Sequence, residues 1–415
     1  MSAHGSVVAP GERRAARIAS DSEAIEAARA LAVRGEAGAA ARDRGRLAPT
    51  GELDDLGRSG LLGITVPDRL GGPEVSVATV TEVLRLLATA DASVAQIPQG
   101  HFTFLDALRR QGTAAQQDRY FGEALAGRRF ANAQVERTSR TVTDDATTLR
   151  RRDAGEPGYV LSGTKYYATG SLHADWLVVR AVAADEPAGA DGTRPKVLVY
   201  VAASAPGIRI EDDWDGLGQR TTASGTVHLS DVAVDPQQVV PYADIFDHPT
   251  TFGARAQILH AAIDAGIARG ALEAGRAAAE RARPWFEAGV ERAIDDPLLV
   301  QVAGELEVAV RGAEALLRDA AARIDEAEAD PTDASTAEAS IATAAAKVAA
   351  ARASIEASSA LFELGGARAS VDALNLSRYW RDARTHTLHD PVRWKVQHIG
   401  RWTLSSTRPP RHGQI

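Results

Sequence analysis

The chain is predicted to be an α+β multidomain protein: an N-terminal helical domain, a central antiparallel β-barrel or sandwich, and a C-terminal helix bundle. Three observations lead there. Helical periodicity runs from Asp21 to about Arg129. From Phe130 to about Tyr242 the texture shifts to Val, Thr and Tyr with frequent Gly and Pro. After about Thr251 alanine-rich helical segments take over. The expected boundaries are a disordered N-terminus over 1–20, a helical domain over 21–129, a β domain over 130–245 and a bundle over 246–415.

Each element has a local reason. Ser20 and Asp21 can cap Glu23-Ala24-Ile25, and Val80-Val83-Leu84-Leu87 follows helical spacing. Gly71-Gly72-Pro73 breaks the first region into separate helices. Tyr159–Leu161, Trp176–Val179, Val197–Val201 and Thr226–Leu229 read as short strands with no helices between them, hence the antiparallel expectation. The bundle segments fall near 252–284, 296–329, 334–364 and 371–388, with a last helix after Pro391. Ile341, Val348, Ile355 and Phe362 recur every seven residues, which marks a core stripe. Gly266-x-x-x-Gly270 reads as close helix packing, and the acidic run Asp325–Asp330 as a solvated helix end.

Composition narrows the function. The 415 residues carry a formal charge of −8, which disfavours a nucleic-acid surface. With no cysteine, disulfides, thiolate metal sites and cysteine nucleophiles are excluded. No run approaches a membrane span, and Met1–Arg17 lacks the apolar core of a signal peptide, so a cytoplasmic protein is expected. Gly158–Lys165 is one residue off a P-loop, but it lies between strands and fails the structural requirement.

The chemistry concentrates at Arg381-Asp382-Ala383-Arg384-Thr385-His386-Thr387-Leu388-His389-Asp390-Pro391. Only 10 histidines occur in the chain, and two sit here three apart, sharing a face on a helix with Asp382 one turn below His386. Imidazoles exchange protons near neutral pH. His386, His389 and Asp390 are also metal-ligand types, but no further ligand cluster accompanies them and no metal is expected.

The stretch Leu161-Ser162-Gly163-Thr164-Lys165-Tyr166-Tyr167-Ala168-Thr169-Gly170-Ser171, followed by Ala174-Asp175, resembles a signature of the acyl-CoA dehydrogenase superfamily. Arg283-Pro284-Trp285-Phe286, Gly365-Gly366 and Arg381–Arg384 match in the same order, from about residue 40 to the end. Dehydrogenases of that superfamily carry a general-base Glu shortly after the last motif. Here Asp390 stands there, shorter by about 1.5 Å and followed by Pro391, a setting that suits an N-cap for the next helix. His386-x-x-His389-Asp390-Pro391, Phe362–Arg368 and Pro409-Pro410-Arg411-His412-Gly413 look like the branch of flavin-dependent monooxygenases of sulfur metabolism.

That resemblance implies a two-component monooxygenase. Reduced FMN would come from a separate flavin reductase, with FAD as the alternative cofactor. O₂ would be carried as a C4a-hydroperoxyflavin to a small, apolar, organosulfur-type substrate. It also implies a homo-oligomer, with a tetramer favoured. The competing readings are an FAD-dependent acyl-CoA dehydrogenase and a non-catalytic oligomeric member of the fold.

By the same resemblance, Thr169 meets flavin N5, His389 protonates the peroxide, His386 supports it or touches substrate, and His101 is a pocket histidine. Asn132 and Gln134 contact the flavin ring and ribityl chain, Ser139 a phosphate, and Trp214 packs on the flavin. Gly365 and Gly366 belong to the matched cofactor motif. Arg283 and Arg368 bind the FMN phosphate, partly across a subunit boundary. Each has a plainer reading beside it: Thr169 as a strand residue, Asn132, Gln134 and Ser139 as a polar turn, Trp214 as core, the arginines as surface groups.

Overall fold

The computed structural model describes residues 15–415 apart from 138–140, 142–143, 153–155 and 190–191. Most of the expected frayed N-terminus, and Ser139, therefore lie outside the described residues. The part of that N-terminus that is described is docked: the Ala16 N–H donates to Arg58 O at 2.8 Å and Ile18 is buried in the helical core.

The N-terminal region comprises α1 (Asp21–Gly45), α2 (Thr50–Arg58), α3 (Val77–Ala90), α4 (Ala92–Gln111) and α5 (Ala114–Leu125). Ser20 caps α1 by accepting from the Glu23 N–H. The Asp91 carboxylate caps α4 by accepting from Ser93 and Val94, satisfying donors that an open helix start would strand.

The middle region holds β1 (Phe130–Ala133), β2 (Thr148–Arg151), β3 (Tyr159–Lys165), β4 (Trp176–Ala183), β5 (Lys196–Ala202), β6 (Ile208–Glu211), β7 (Thr226–Val234) and β8 (Val239–Pro241). They form one curled half-barrel sheet in the order β6-β7-β3-β2-β4-β5-β8. The sheet is mixed, which corrects the all-antiparallel expectation. Both β1 and β2 pair parallel with β4, in tandem along one edge. Short polar strands such as β2, whose sequence is Thr-Leu-Arg-Arg, give no alternation to read. Strand β4 is buried on both faces, so it reads as a continuous apolar run. Trp176 and Val178 face the helices with Phe130, Tyr120 and Tyr200, while Leu177, Val179 and Ala181 fill the inside of the curl.

The C-terminal region holds α6 (Phe252–Ala279), α7 (Pro297–Ala329), α8 (Asp333–Gly365), α9 (Ser377–His386) and α10 (Val392–Ser405). Helix α6 packs so closely on α3 that a Cβ at Gly266 or Gly270 would collide with the carbonyl oxygens of Arg85 or Thr89. The stripe on α8 faces the core as expected: Ile341 and Val348 are buried, and Ile355 and Phe362 pack half-buried against it. The segment expected as one helix over 371–388 is shorter, because Asn375 turns into the left-handed region just before α9. The acidic run is not simply solvated. Asp325 accepts from the Val77 and Ala78 N–H groups at 2.8 and 3.2 Å and so caps α3, while Glu328 pairs with Arg110 and Arg255. No described helix is long and apolar enough to cross a membrane.

Candidate active site

One turn and a half of α4, from Gln96 to Gly100, organises the site. Gly100 lies against Asn132 of β1, Ile97 lies against Gly170 in the turn after β3, and the Gln96 amide comes to 3.1 Å from His386 Nε2 on α9. Three segments that are far apart in sequence are thereby gathered around one helix face.

On the sheet side, the Asn132 Oδ1 is buried with no hydrogen-bond partner. A buried acceptor left bare costs about 1–3 kcal/mol, so this atom has an unmet demand for a donor. Thr169 Oγ1 lies 2.9 Å from Ser224 Oγ, which lies 2.7 Å from Thr222 Oγ1, which donates to Gln219 O. The chain of hydroxyls holds Thr169 in place while leaving its outer side half-exposed. The Trp214 indole N–H donates to Gln219 O and the ring meets Tyr167 edge-on at 6.1 Å, on the same loop. That loop is fixed to α9: the Gly218 N–H donates to Thr385 Oγ1 and the Gln219 N–H to Asp382 Oδ1. Asp382 thus spends its carboxylate on the loop and leaves His386 to other partners.

On the helical side, three imidazoles stack. His386 Nδ1 lies 2.6 Å from Asp264 Oδ1 and its Nε2 lies 3.1 Å from His260 Nδ1. The His260 ring sits 3.9 Å from that of His389 and 5.3 Å from that of His386. His386 is fully buried, whereas the His389 side chain is 38% exposed and presents the outer face of the stack. Behind them runs a buried ion chain. Lys347 Nζ lies 3.3 Å from Asp264 Oδ2 and 3.6 Å from Asp390 Oδ1, and Lys395 Nζ lies 3.0 Å from Asp390 Oδ2. The two Lys347 contacts are ion pairs without hydrogen-bond geometry.

The charge states follow. Burial pushes His386 and His260 below the ordinary histidine value, so both are neutral. Burial opposes the charge on Asp264, but Lys347 and His386 outweigh it and hold the carboxyl below its usual range. Asp390 is likewise held well below, with burial overcome by Lys347, His389 and Lys395.

Asp390 is not the N-cap expected for the last helix. Pro391 occupies that position without a side-chain bond, and the Asp390 carboxylate turns inward to the two ammonium groups. A carboxylate held so firmly in its charged form is a poor base.

Other expected residues fall elsewhere. His101 is buried with both ring nitrogens committed to backbone: Nε2 to Leu62 O at 2.7 Å, and Nδ1 accepting from the Phe130 N–H at 3.3 Å. Burial lowers its pKa to about 4. Gln134 donates inward to Val178 O. Arg283 and Arg368 are exposed near the C-terminal ends of α6 and α8, where Gly365 packs on Ala278 and Gly366 is exposed. Along α6, Ala278 lies roughly 21 Å beyond Asp264 at 1.5 Å per residue, so one chain does not bring these residues to the histidines.

The sequence reading missed Gln96, His260, Asp264 and Lys347. Signals existed: His260 and Asp264 stand four apart in the apolar stretch Ile258–Ala268 of α6, and Lys347 is alone in an alanine run. A cavity of about 980 Å³ lies between α1, α6 and α7, away from the histidines. Its lining contains no histidine, and its Arg269 is already paired to Glu307 and Glu314.

The chain matches the acyl-CoA dehydrogenase N-terminal domain over residues 21–128, the middle domain over 134–232 and the C-terminal domain over 258–394. It is 32% identical to a dibenzothiophene monooxygenase of Rhodococcus erythropolis, covering 95% of this chain and 96% of that protein. It is 31% identical to the probable FMNH2-dependent monooxygenase SfnC of Pseudomonas putida, over 93% and 96%. The structure of FMN-bound TdsC from Paenibacillus sp. A11-2 superposes with a TM-score of 0.88 at 32% identity, covering 94% of this chain and 100% of that one.

Proposed function

The chain belongs to the acyl-CoA dehydrogenase family, in its flavin-dependent monooxygenase branch, and from that premise we propose that it is a two-component monooxygenase oxidising a small organosulfur compound. Reduced FMN from a flavin reductase, with O₂, supplies the oxidising equivalents. One oxygen atom goes to the substrate sulfur, the other leaves as water, and the flavin ends oxidised. The observation that carries this reading is the convergence on α4 of strand β1 with its unpartnered Asn132 Oδ1, the turn that carries the held Thr169 hydroxyl, and His386 of the imidazole stack.

The residues present fit the flavin. Asn132 Oδ1 would accept from the ring and Thr169 Oγ1 would bond it, with Trp214 and Tyr167 packed together beside Thr169. His389, the exposed member of the stack, would hold or move the proton there. The buried helical and sheet cores behind these groups exclude water. Arg283 and Arg368, too distant within one chain, serve the phosphate of a neighbouring protomer's flavin in a homo-oligomer, a tetramer by preference, in the cytoplasm. Exposed Trp285 and Phe286 beside Arg283 give such a contact an apolar face.

The test supplies the protein with FMN, a reductase, NADH, ¹⁸O₂ and dibenzothiophene or a simple thioether. Sulfoxide carrying one ¹⁸O is expected. His389→Ala should lower product on the order of a hundredfold with FMN affinity little changed and H₂O₂ released instead. No oxygenated sulfur product, or anaerobic bleaching of bound flavin by an acyl-CoA, would count for the dehydrogenase alternative. That alternative needs a free carboxylate, and neither oxygen of Asp390 is free.

A further inference from the structure

His389 is exposed, yet nothing on its own turn holds its ring face. Leu388 beside it points to solvent, and its contact to Asp390 is 3.7 Å. The ring rests instead on His260, at 3.9 Å. His260 is fixed through its Nδ1 to His386 Nε2, and His386 through its Nδ1 to Asp264, which is anchored in turn by Lys347.

Hydrogen bonds set the tautomers along this line. Ionised Asp264 can only accept, so His386 carries its proton on Nδ1. Its Nε2 then offers a lone pair to both groups 3.1 Å away: His260 meets it with a proton on Nδ1, and the Gln96 amide with its NH₂ group. Every group in the row is buried, so no water competes for these bonds.

We propose that Asp264, acting through His386 and His260, is a positioning residue that fixes the tautomers of the buried pair and, through the stack, the ring orientation of His389. The functional half of this statement rests on the monooxygenase reading above; the tautomer half does not.

Asp264→Asn is the isosteric test. The Lys347 ammonium attracts the new amide oxygen, which leaves the amide NH₂ facing His386 Nδ1. That nitrogen must then accept, so the proton moves to Nε2 and His260 inverts with it. In protein labelled with [δ1-¹⁵N]histidine, solid-state NMR of the flavin-free chain should lose two protonated Nδ1 signals on Asp264→Asn. With reduced FMN and O₂, the variant should divert ten- to a hundredfold more oxygen to H₂O₂ relative to sulfoxide, as expected for a misplaced proton donor, while FMN affinity stays within twofold. Unchanged Nδ1 signals overturn the proposal. So does an inverted pair whose oxygen partition matches wild type.

His260→Phe guards against a folding defect in the first variant. It keeps a ring beneath His389 but breaks the bond to His386, and the same diversion of oxygen is expected with the His386 Nδ1 proton retained. Wild-type coupling in this variant overturns the proposal. Failure of the monooxygenase reading itself is separable, because it appears in the wild-type control, whereas the NMR readout needs no flavin.

Discussion

Asp382 shows what a single buried carboxyl can report. Burial, with Asp43 and Asp91 nearby, pushes its pKa up to about 7, against the Gln219 N–H bond and Arg381 that favour its charge. A folded-state value above the unfolded 3.8 means the native protein holds this proton more tightly. The stability it contributes is present in full below about pH 4 and is lost as pH rises through 7. Asp382→Asn keeps an acceptor for the loop and removes the charge, so it should remove the decline in stability that this group causes between about pH 4 and 7. The difference in urea midpoint between variant and wild type, followed from about pH 4 to 7.5, checks this; a difference that stays constant across that range would refute it. At this scale the sequence was only partly legible. The His386–His389 pair stood out because histidine is rare here, whereas Lys347 looked like one more helical lysine until its partners on α6 and beyond α9 were in place.

Elements are defined here as much by their neighbours as by their own residues. Helix α3 begins at Ser76, whose hydroxyl accepts from the Thr79 N–H, as local sequence suggests. Its other bare donors are met by Asp325, which reaches from α7, some 250 residues away. Asp325→Ala should therefore cost about 1 kcal/mol, the usual worth of a cap. The loss should appear as a lowered unfolding midpoint with an unchanged denaturant slope. No change would return Asp325 to the role of a solvated side chain. The sheet carries the same lesson. Strand β4 is legible because both its faces are apolar, while β2 exists because Leu149 and its neighbours find β3 on one side and β4 on the other. Nothing in four residues specifies that.

Across the whole molecule, the buried histidines and carboxylates set how stability responds to acid. His260 and His386 are held neutral, below their ordinary 6.5, so their contribution is present above about pH 6.5 and is lost as pH falls. Asp264 and Asp390 are held below 3.8, so theirs persists above that value and goes at lower pH. Denaturant midpoints should fall in two stages on acidification, first below about 6.5 and again below about 4. In the Asp382→Asn background, which lacks the opposing proton uptake of that carboxyl, a midpoint flat from pH 7.5 to 5 would mean that these imidazoles take up protons without penalty.

The order of helices, sheet and bundle was determined by the sequence alone, because hydrophobic periodicity and turn residues act over a few neighbours and survive in one dimension. So was the family signature around Thr169 and the histidine pair. The mixed sheet, the inward turn of Asp390, the separation of Arg283 and Arg368 from the histidines, and the Asp264–His386–His260 row were decided only by tertiary structure. A buried charge or tautomer is settled by whichever group packing brings within about 3 Å, and for those residues the partners come from helices distant in the chain.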